Sequence, residues 1–212
     1  MSTEREPIVG LYAGSFDPIT RGHMGIICEA INKLDKLVIG IGKNPDKKGM
    51  FSNEKREEII KAAIEDFKNE VIAKGADATP SEKRAVERLN SGACEVAVES
   101  YDGLTVDFAI QHNAHQLIRG LRPIGDFESE QSLADINKRI ANKSGFDIST
   151  SFIPTPDTRY IFASSSLIRT LSKKPEVISD YLYPSTAEAV AQHISATSRV
   201  SGRGGAAGVA QG

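Results

Sequence analysis

Ten residues, Gly14-Ser15-Phe16-Asp17-Pro18-Ile19-Thr20-Arg21-Gly22-His23, join an apolar run to an amphipathic one, and this junction constrains the chain more than any other stretch. The run before it, Ile8-Val9-Gly10-Leu11-Tyr12-Ala13, is short and continuously apolar, as in a strand buried on both faces. After it, Ile27, Ala30, Ile31 and Leu34 recur at i, i+3, i+4 and i+7, one face of a helix. Strand, glycine-bearing turn and helix N-terminus in that order gather backbone N–H groups around an anion. Gly14 would let a phosphate approach the backbone, and Ser15 offers a hydroxyl just past the strand. Phe16 is expected to pack beneath the loop, with Asp17-Pro18 setting its turn. His23 stands at the helix entrance, close to where the anion would lie, although a capped helix start with a surface histidine has the same spelling.

The rest of the chain keeps the alternation. Strands are expected at Ile8–Ala13, Leu37–Ile41, Glu95–Glu99, Gln116–Arg119 and Ile148–Ile153, and helices at Gly22–Leu34, Asn53–Phe67, Val106–Asn113 and Phe127–Asn142. This predicts an α/β fold: a Rossmann-like, doubly wound, five-stranded parallel sheet with helices on both faces and a C-terminal helical segment. Ligands in such sheets bind beyond the strand C-termini, so Ser15, Lys47, Gly103, Arg119 and Ser164, each following a strand, are expected along one rim. Residues 1–196 read as one α/β domain. Residues 69–92, with Gly75, Pro80 and Gly92, fall outside the rhythm and read as a solvated excursion with a helix over Ser81–Leu89, or else as an added contact at an oligomer surface or the site's mouth. Residues 197–212 are glycine-rich, with little to bury, and read as a disordered tail.

Several side chains are poised for anions. Lys47-Lys48 follows the turn Asn44-Pro45-Asp46. Arg119-Gly120-Leu121-Arg122 puts two arginines about a glycine at a strand end, with Glu130 a short way on. Ser164-Ser165-Ser166 opens a helix, where hydroxyls and free N–H groups meet. Read singly, these are also solvated lysines, an Arg–Glu surface pair and a plain N-cap. His112 and His115 lack metal-ligand spacing, and His193 lies on a helix whose buried side is Ala187, Val190, Ala191 and Ile194, so all three read as structural or exposed. Cys28 and Cys94 read as small buried hydrophobes. A net charge of -2 gives no electrostatic case for nucleic acid or an anionic membrane. There is no apolar stretch long enough to span a bilayer and no signal pattern at residues 1–7, so a cytoplasmic location is expected.

Thr20-Arg21-Gly22-His23 resembles the (H/T)xGH signature of the nucleotidyltransferase superfamily. Within it the chain is similar to the bacterial phosphopantetheine adenylyltransferases through most of residues 7–195. Lys47-Lys48-Gly49-Met50-Phe51 resembles that family's KKxMF loop, Ile118–Arg122 with Asp126–Glu130 its IRGLR…DFExE block, and Ser164–Arg169 the superfamily's SS(S/T)xIR signature. The resemblance implies transfer of AMP from ATP to 4′-phosphopantetheine, with Mg²⁺ as cofactor. It implies that His23 contacts the ATP phosphates and stabilises charge on the α-phosphoryl group, and that Lys47 and Arg119 bind the nucleophile phosphate. Ser15, Phe16, Gly120, Leu121, Arg122, Glu130 and the run Tyr160, Ile161, Phe162, Ala163, Ser164, Ser165 and Ser166 would form the ATP site. Ser15, Leu104 and Thr105 would meet the pantetheine substrate. A homohexamer and feedback inhibition by coenzyme A are further implications. Ser15 replaces the family's usual threonine, and Ser129 stands where a tyrosine is expected, which leaves that ring's contact open. A nicotinate or nicotinamide mononucleotide adenylyltransferase shares the front loop and serines but not the lysine loop or the Arg119–Glu130 block. A nucleotide-sensing module would be expected to have lost the histidine or serine signature, and both are intact.

Overall fold

The computed structural model describes residues 5–43, 49–121, 127–172 and 174–203. Five strands form one sheet: β1 (Val9–Gly14), β2 (Lys36–Gly42), β3 (Glu95–Tyr101), β4 (Gln116–Leu121) and β5 (Ser149–Pro154). Their order is β3-β2-β1-β4-β5, every pair is parallel, and β1 is registered with Val9 beside Lys36 on one side and Gly10 beside Gln116 on the other. The chain winds outward from β1 through β2 to β3, then returns across the sheet to place β4 on β1's other flank. That reversal opens a crevice beyond the C-terminal ends of β1 and β4.

Helices α1 (Arg21–Ile31), α2 (Asn53–Lys74) and α3 (Pro80–Asn90) cover one face, and α4 (Thr105–Gln111) and α5 (Phe127–Lys143) cover the other. Short α6 (Ser165–Thr170) and α7 (Pro175–Ile178) lead to α8 (Pro184–Arg203), which packs on α2. The sheet divides two apolar clusters. Tyr12, Ile39, Ile41 and Ile118 point into the α1–α2 side, while Leu11, Val38 and Leu117 meet Val106, Phe108 and Ala109 of α4 on the other. The central strands β1 and β2, buried on both faces, read as continuous apolar runs, while the edge strands β3 and β5 are only partly buried and carry polar residues among the apolar ones. Cys28 and Cys94 are both buried, and burial pushes their thiols up to about 12 and about 11.

Three boundaries differ from expectation. Helix α2 runs past Phe67 to Lys74 because Val71, one turn on, is also buried, and Gly75 at φ +51 ends it by donating its N–H to the Ile72 carbonyl. Residues 69–92 are not a solvated excursion: Ala78, Ala85 and Val86 are buried, and α3 docks on α1. A Thr79–Glu82 capping box with Pro80 in the first turn starts α3. Near its end, Arg88 donates from Nε to the Ile31 carbonyl (2.8 Å) and from Nη2 to those of Leu34 (2.7 Å) and Ala93 (2.9 Å). A guanidinium thus caps the C-terminal end of α1, where carbonyls lack helical partners. Third, α8 continues through Arg203, past the expected tail boundary at 197, since no glycine interrupts it until Gly202; residues 204–212 lie outside the described residues. On α8, Ala189 and Val190 are buried whereas Ala191, expected inside, is exposed.

Replacing Arg88 with alanine removes all three carbonyl contacts and is expected to lower unfolding free energy by about 1–3 kcal/mol, read from the urea midpoint at constant m-value.

Candidate functional site

Beyond β1 the chain turns through Ser15, which is exposed, and Phe16, which is buried at φ 43. The Phe16 ring packs edge-on to Tyr12 (5.2 Å) and to His23 (5.3 Å), so it does lie beneath the loop. Gly14 has a role besides admitting an anion: a Cβ there would meet the Phe16 ring at 3.0 Å.

Asp17 does more than set the turn. Its buried carboxylate accepts from the backbone N–H of Met50 (2.7 Å) and of Phe51 (2.9 Å), and Arg56 Nε lies 3.2 Å away. Arg169 of α6 donates to the Asp17 carbonyl at 2.7 Å, and Arg56 donates to the Phe51 carbonyl at 2.9 Å. The front loop, the segment before α2, α2 itself and α6 are therefore tied at one anion.

Thr20 and His23 form a capping box at the start of α1. His23 Nδ1 accepts from the Thr20 backbone N–H (3.1 Å) and lies 2.8 Å from Thr20 Oγ1, which also donates to the Ala163 carbonyl (3.1 Å). Because Nδ1 accepts, the ring proton of the neutral imidazole sits on Nε2, as a donor. His23 lines a cleft of about 140 Å³ together with Gly14, Phe16, Gly22 and Ile26 on the front-loop side. Arg119 and Gly120 of β4 and Glu130 of α5 complete this part of the lining. Arg119 Nε stands 3.6 Å from Glu130 Oε2, so this pair lies inside the cleft and not on the outer surface.

The third wall is the segment after β5. Thr155, Ile161 and Ala163 face the cleft. Pro156, Asp157 and Tyr160 face away, into a groove of about 550 Å³ shared with Arg21, Glu70 and the start of α3. Arg21 sits over the Tyr183 ring at 4.2 Å and pairs with Glu70 at 2.8 Å. Phe162 is 68% exposed and lines neither cavity. The wall approaches α1 closely at Gly22, where a Cβ would come within 2.9 Å of the Tyr160 carbonyl and 3.0 Å of the Ala163 carbonyl.

The serines divide their work. Ser164 is the N-cap of α6 and accepts from the Leu167 N–H at 3.2 Å. Ser165 is buried and donates to the Pro18 carbonyl at 2.8 Å, while Ser166 accepts from Arg169 Nη2 at 3.1 Å. Leu121 ends β4 but does not line the cleft. Leu104 and Thr105 begin α4 after the edge strand β3 and also stand apart from it; Thr105 Oγ1 lies 2.8 Å from the Tyr101 hydroxyl. Lys47 and Arg122 lie outside the described residues. Of the expected site residues, the fold thus brings together Phe16, His23, Arg119, Gly120, Glu130, Ile161 and Ala163, with Ser15 and Ser164 flanking.

Tyr12, Ile26 and Thr155 line the cleft unforeseen, as do the partners of Asp17 outside it. Arg56 left a signal: it falls on the apolar stripe of α2, one turn before Ile59 and Ile60, where a cation needs a buried partner. His112 (Nε2 3.4 Å from Glu99), His115 (stacked on Phe146) and His193 (edge-on to Phe51) lie away from the cleft, as expected. Among the described residues no group of three or more His, Cys, Asp or Glu side chains could hold a metal, and no helix is long and apolar enough to cross a membrane.

A methyl at Gly22 pushes the post-β5 wall off α1. Gly22→Ala is expected to cost about 1–3 kcal/mol of stability and about tenfold or more in kcat; an unaltered melting curve and rate would show that the wall yields freely.

A family model described as cytidylyltransferase-like matches residues 11–171. The chain is 33% identical over 191 residues to the phosphopantetheine adenylyltransferase of Heliobacterium modesticaldum, covering 90% of this chain and 95% of that protein. It is 38% identical over 161 residues to that of Clostridium tetani, covering 76% and 81%. A solved nicotinic acid mononucleotide adenylyltransferase of Plasmodium falciparum in complex with NaAD superposes with a TM-score of 0.54 at 16% identity, over 89% of this chain and 96% of that one. At that identity the likeness speaks for the fold alone. The glycine-bearing turn after β1, the five-stranded order and identity of this extent agree: the chain belongs to the cytidylyltransferase-like family of nucleotidyltransferases, and within it to the phosphopantetheine adenylyltransferases.

Proposed function

We propose that the chain transfers AMP from ATP to 4′-phosphopantetheine, giving dephospho-coenzyme A and pyrophosphate. What carries this reading is family membership joined to one geometric fact: His23 and Arg119 line a single cleft at the sheet's switch point.

The acceptor is a phosphate monoester, already an anion at neutral pH, so its oxygen needs no general base. The site answers with donors and cations, as a reaction joining two anions requires. In-line attack at the α-phosphorus makes the new P–O bond as the bond to pyrophosphate breaks, and charge builds on the α-phosphoryl oxygens. Preorganised donors at those oxygens lower the barrier. In this reading His23 is that donor, through Nε2–H, with its tautomer held by the Thr20 N–H at Nδ1. Arg119, with Lys47, offsets the charge of the acceptor phosphate, and Glu130 holds the Arg119 guanidinium until that phosphate arrives. Gly120, Leu121, Arg122, Ile161, Ala163 and the Ser164–Ser166 turn serve the nucleotide, and Ser15, Leu104 and Thr105 the pantetheine phosphate and arm. Mg²⁺ enters with ATP as part of the substrate: among the described residues Glu130 is the one acid lining the cleft and it is paired, and Mg²⁺ binds readily through phosphates and water. The same reading takes the protein as a cytoplasmic homohexamer, a dimer of trimers, inhibited by coenzyme A in the substrate site.

Purified enzyme is expected to release pyrophosphate from ATP with 4′-phosphopantetheine and not with nicotinamide mononucleotide, nicotinate mononucleotide or glycerol 3-phosphate. Release with a mononucleotide would transfer the assignment to the sister activity. His23→Ala is expected to lower kcat by roughly 10²–10³ while the lost cap costs about 1 kcal/mol of stability. A rate loss below about tenfold in folded protein would remove His23 from the chemistry.

A further inference from the structure

We propose that the groove behind the post-β5 wall is a second ligand site, one that takes a small aliphatic amine carrying two or more ammonium groups. Binding there is independent of the substrate assignment, while its effect on the neighbouring cleft rests on the reading of that cleft as the ATP site.

The lining of this groove comes from α1, the end of α2, the turn into α3 and the segment after β5, and residues 69–92 close one side of it by docking on α1. It encloses about 550 Å³, a volume suited to a small organic molecule. Phe67, Tyr160 and Tyr183 give it apolar sides. Tyr183 is 6% exposed, yet it lines the groove and its hydroxyl makes no hydrogen bond among the described residues. Arg21, Glu70 and Glu82, whose charges that hydroxyl feels, line the same groove. A polar group so deeply set needs a partner, and the groove is where one can enter.

Charge says what that partner is. Five carboxylates and three cations line the groove. The cations are all engaged: Arg21 pairs with Glu70 at 2.8 Å, Lys74 bridges Glu70 and Glu82 at 3.0 Å each, and Arg159 pairs with Asp157 at 2.6 Å. Glu29 and Asp77 are left with no cation among the described residues, where the Glu29 carboxylate accepts only from the Ser81 hydroxyl. An anionic ligand would meet cations already neutralised. A bare metal ion would find no cluster of three or more ligating side chains among the described residues. An organic dication supplies both missing charges, donates to Tyr183 Oη and lays its methylenes against the aromatic sides. Glu29 belongs to α1 and Asp77 to the turn before α3, so one such ligand bridges residues 69–92 to the helix that carries His23. The segment after β5 sends Thr155, Ile161 and Ala163 into the cleft and Pro156, Asp157 and Tyr160 into the groove. A filled groove therefore braces the wall from behind and favours ATP in the cleft.

The test is titration calorimetry of the full chain with putrescine and spermidine, beside butylamine, succinate and magnesium chloride. It is run on the parent and on Glu29→Gln, Asp77→Asn and Tyr183→Phe, each checked for native circular dichroism and melting temperature. Putrescine and spermidine are expected to bind about tenfold tighter than butylamine, and each carboxylate variant to weaken them by about tenfold. Tyr183→Phe, which keeps the ring, is expected to weaken them by about fivefold; should it not fold, the two carboxylate variants decide. Spermidine is also expected to lower the KM for ATP about threefold in the parent and not in Glu29→Gln, which controls for amine bound to ATP itself. No binding of either polyamine, or binding unchanged in every variant, would overturn the site. Tighter binding of succinate or magnesium would overturn its ligand class. Binding that leaves the KM unmoved would overturn the bracing of the wall alone. Binding to a protein that does not use 4′-phosphopantetheine would overturn the substrate assignment and leave the site standing.

Discussion

Asp17 is a carboxylate 3% exposed, and an anion so placed is tolerable only with its partners in position. Those partners come from far along the chain: two backbone N–H groups just before α2, Arg56 within α2, and Arg169 from α6. The segment preceding α2, the front loop and the serine-bearing turn are thus one assembly organised by charge, while the apolar clusters on each side of the sheet hold the scaffold beneath. Removing one member would leave the rest with uncompensated charge out of water, a cost of about 3–5 kcal/mol in comparable buried pairs. Binding geometry and folding stability share these contacts.

The cleft applies the same economy to neutral groups. Thr20 caps α1, orients His23 and reaches the Ala163 carbonyl, so a single residue, through its backbone N–H and its hydroxyl, fixes a helix start, a tautomer and a wall. Ser165 and Arg169, members of what reads as a phosphate-binding signature, are occupied in holding α6 to the front loop. A motif that looks like a list of ligand contacts is partly the framework that holds those contacts in place.

The legibility of the sequence follows from these forces. Strands β1 and β2, buried on both faces, are unbroken apolar runs and readable as such, the polar-interrupted edge strands β3 and β5 were legible from shorter apolar stretches, and the alternation with helices carried the sheet type. The front-loop motif pointed to His23, and Arg119 and Glu130 announced an anion edge that the fold folds into the cleft. What hid were long-range partnerships. Asp17 before proline reads as a turn residue, and nothing local tells that its oxygens serve residues 50, 51 and 56. Thr155 is an unremarkable loop residue until β5 delivers it to the cleft. Residues 69–92 misled because their composition is that of a solvated loop, whereas a few small side chains, Ala78, Ala85 and Val86, suffice to dock them.

That docking changes the character of α1. Its first turn is pinned by the capping box and by Arg21 against Glu70 and Tyr183, and its last turn by Arg88 reaching across from α3. A helix clamped at both ends has no inexpensive way to fray, so it is tied to the stability of the domain around it. The front loop, which runs into that helix and holds the buried Asp17, shares its restraint and is framework as much as binding surface.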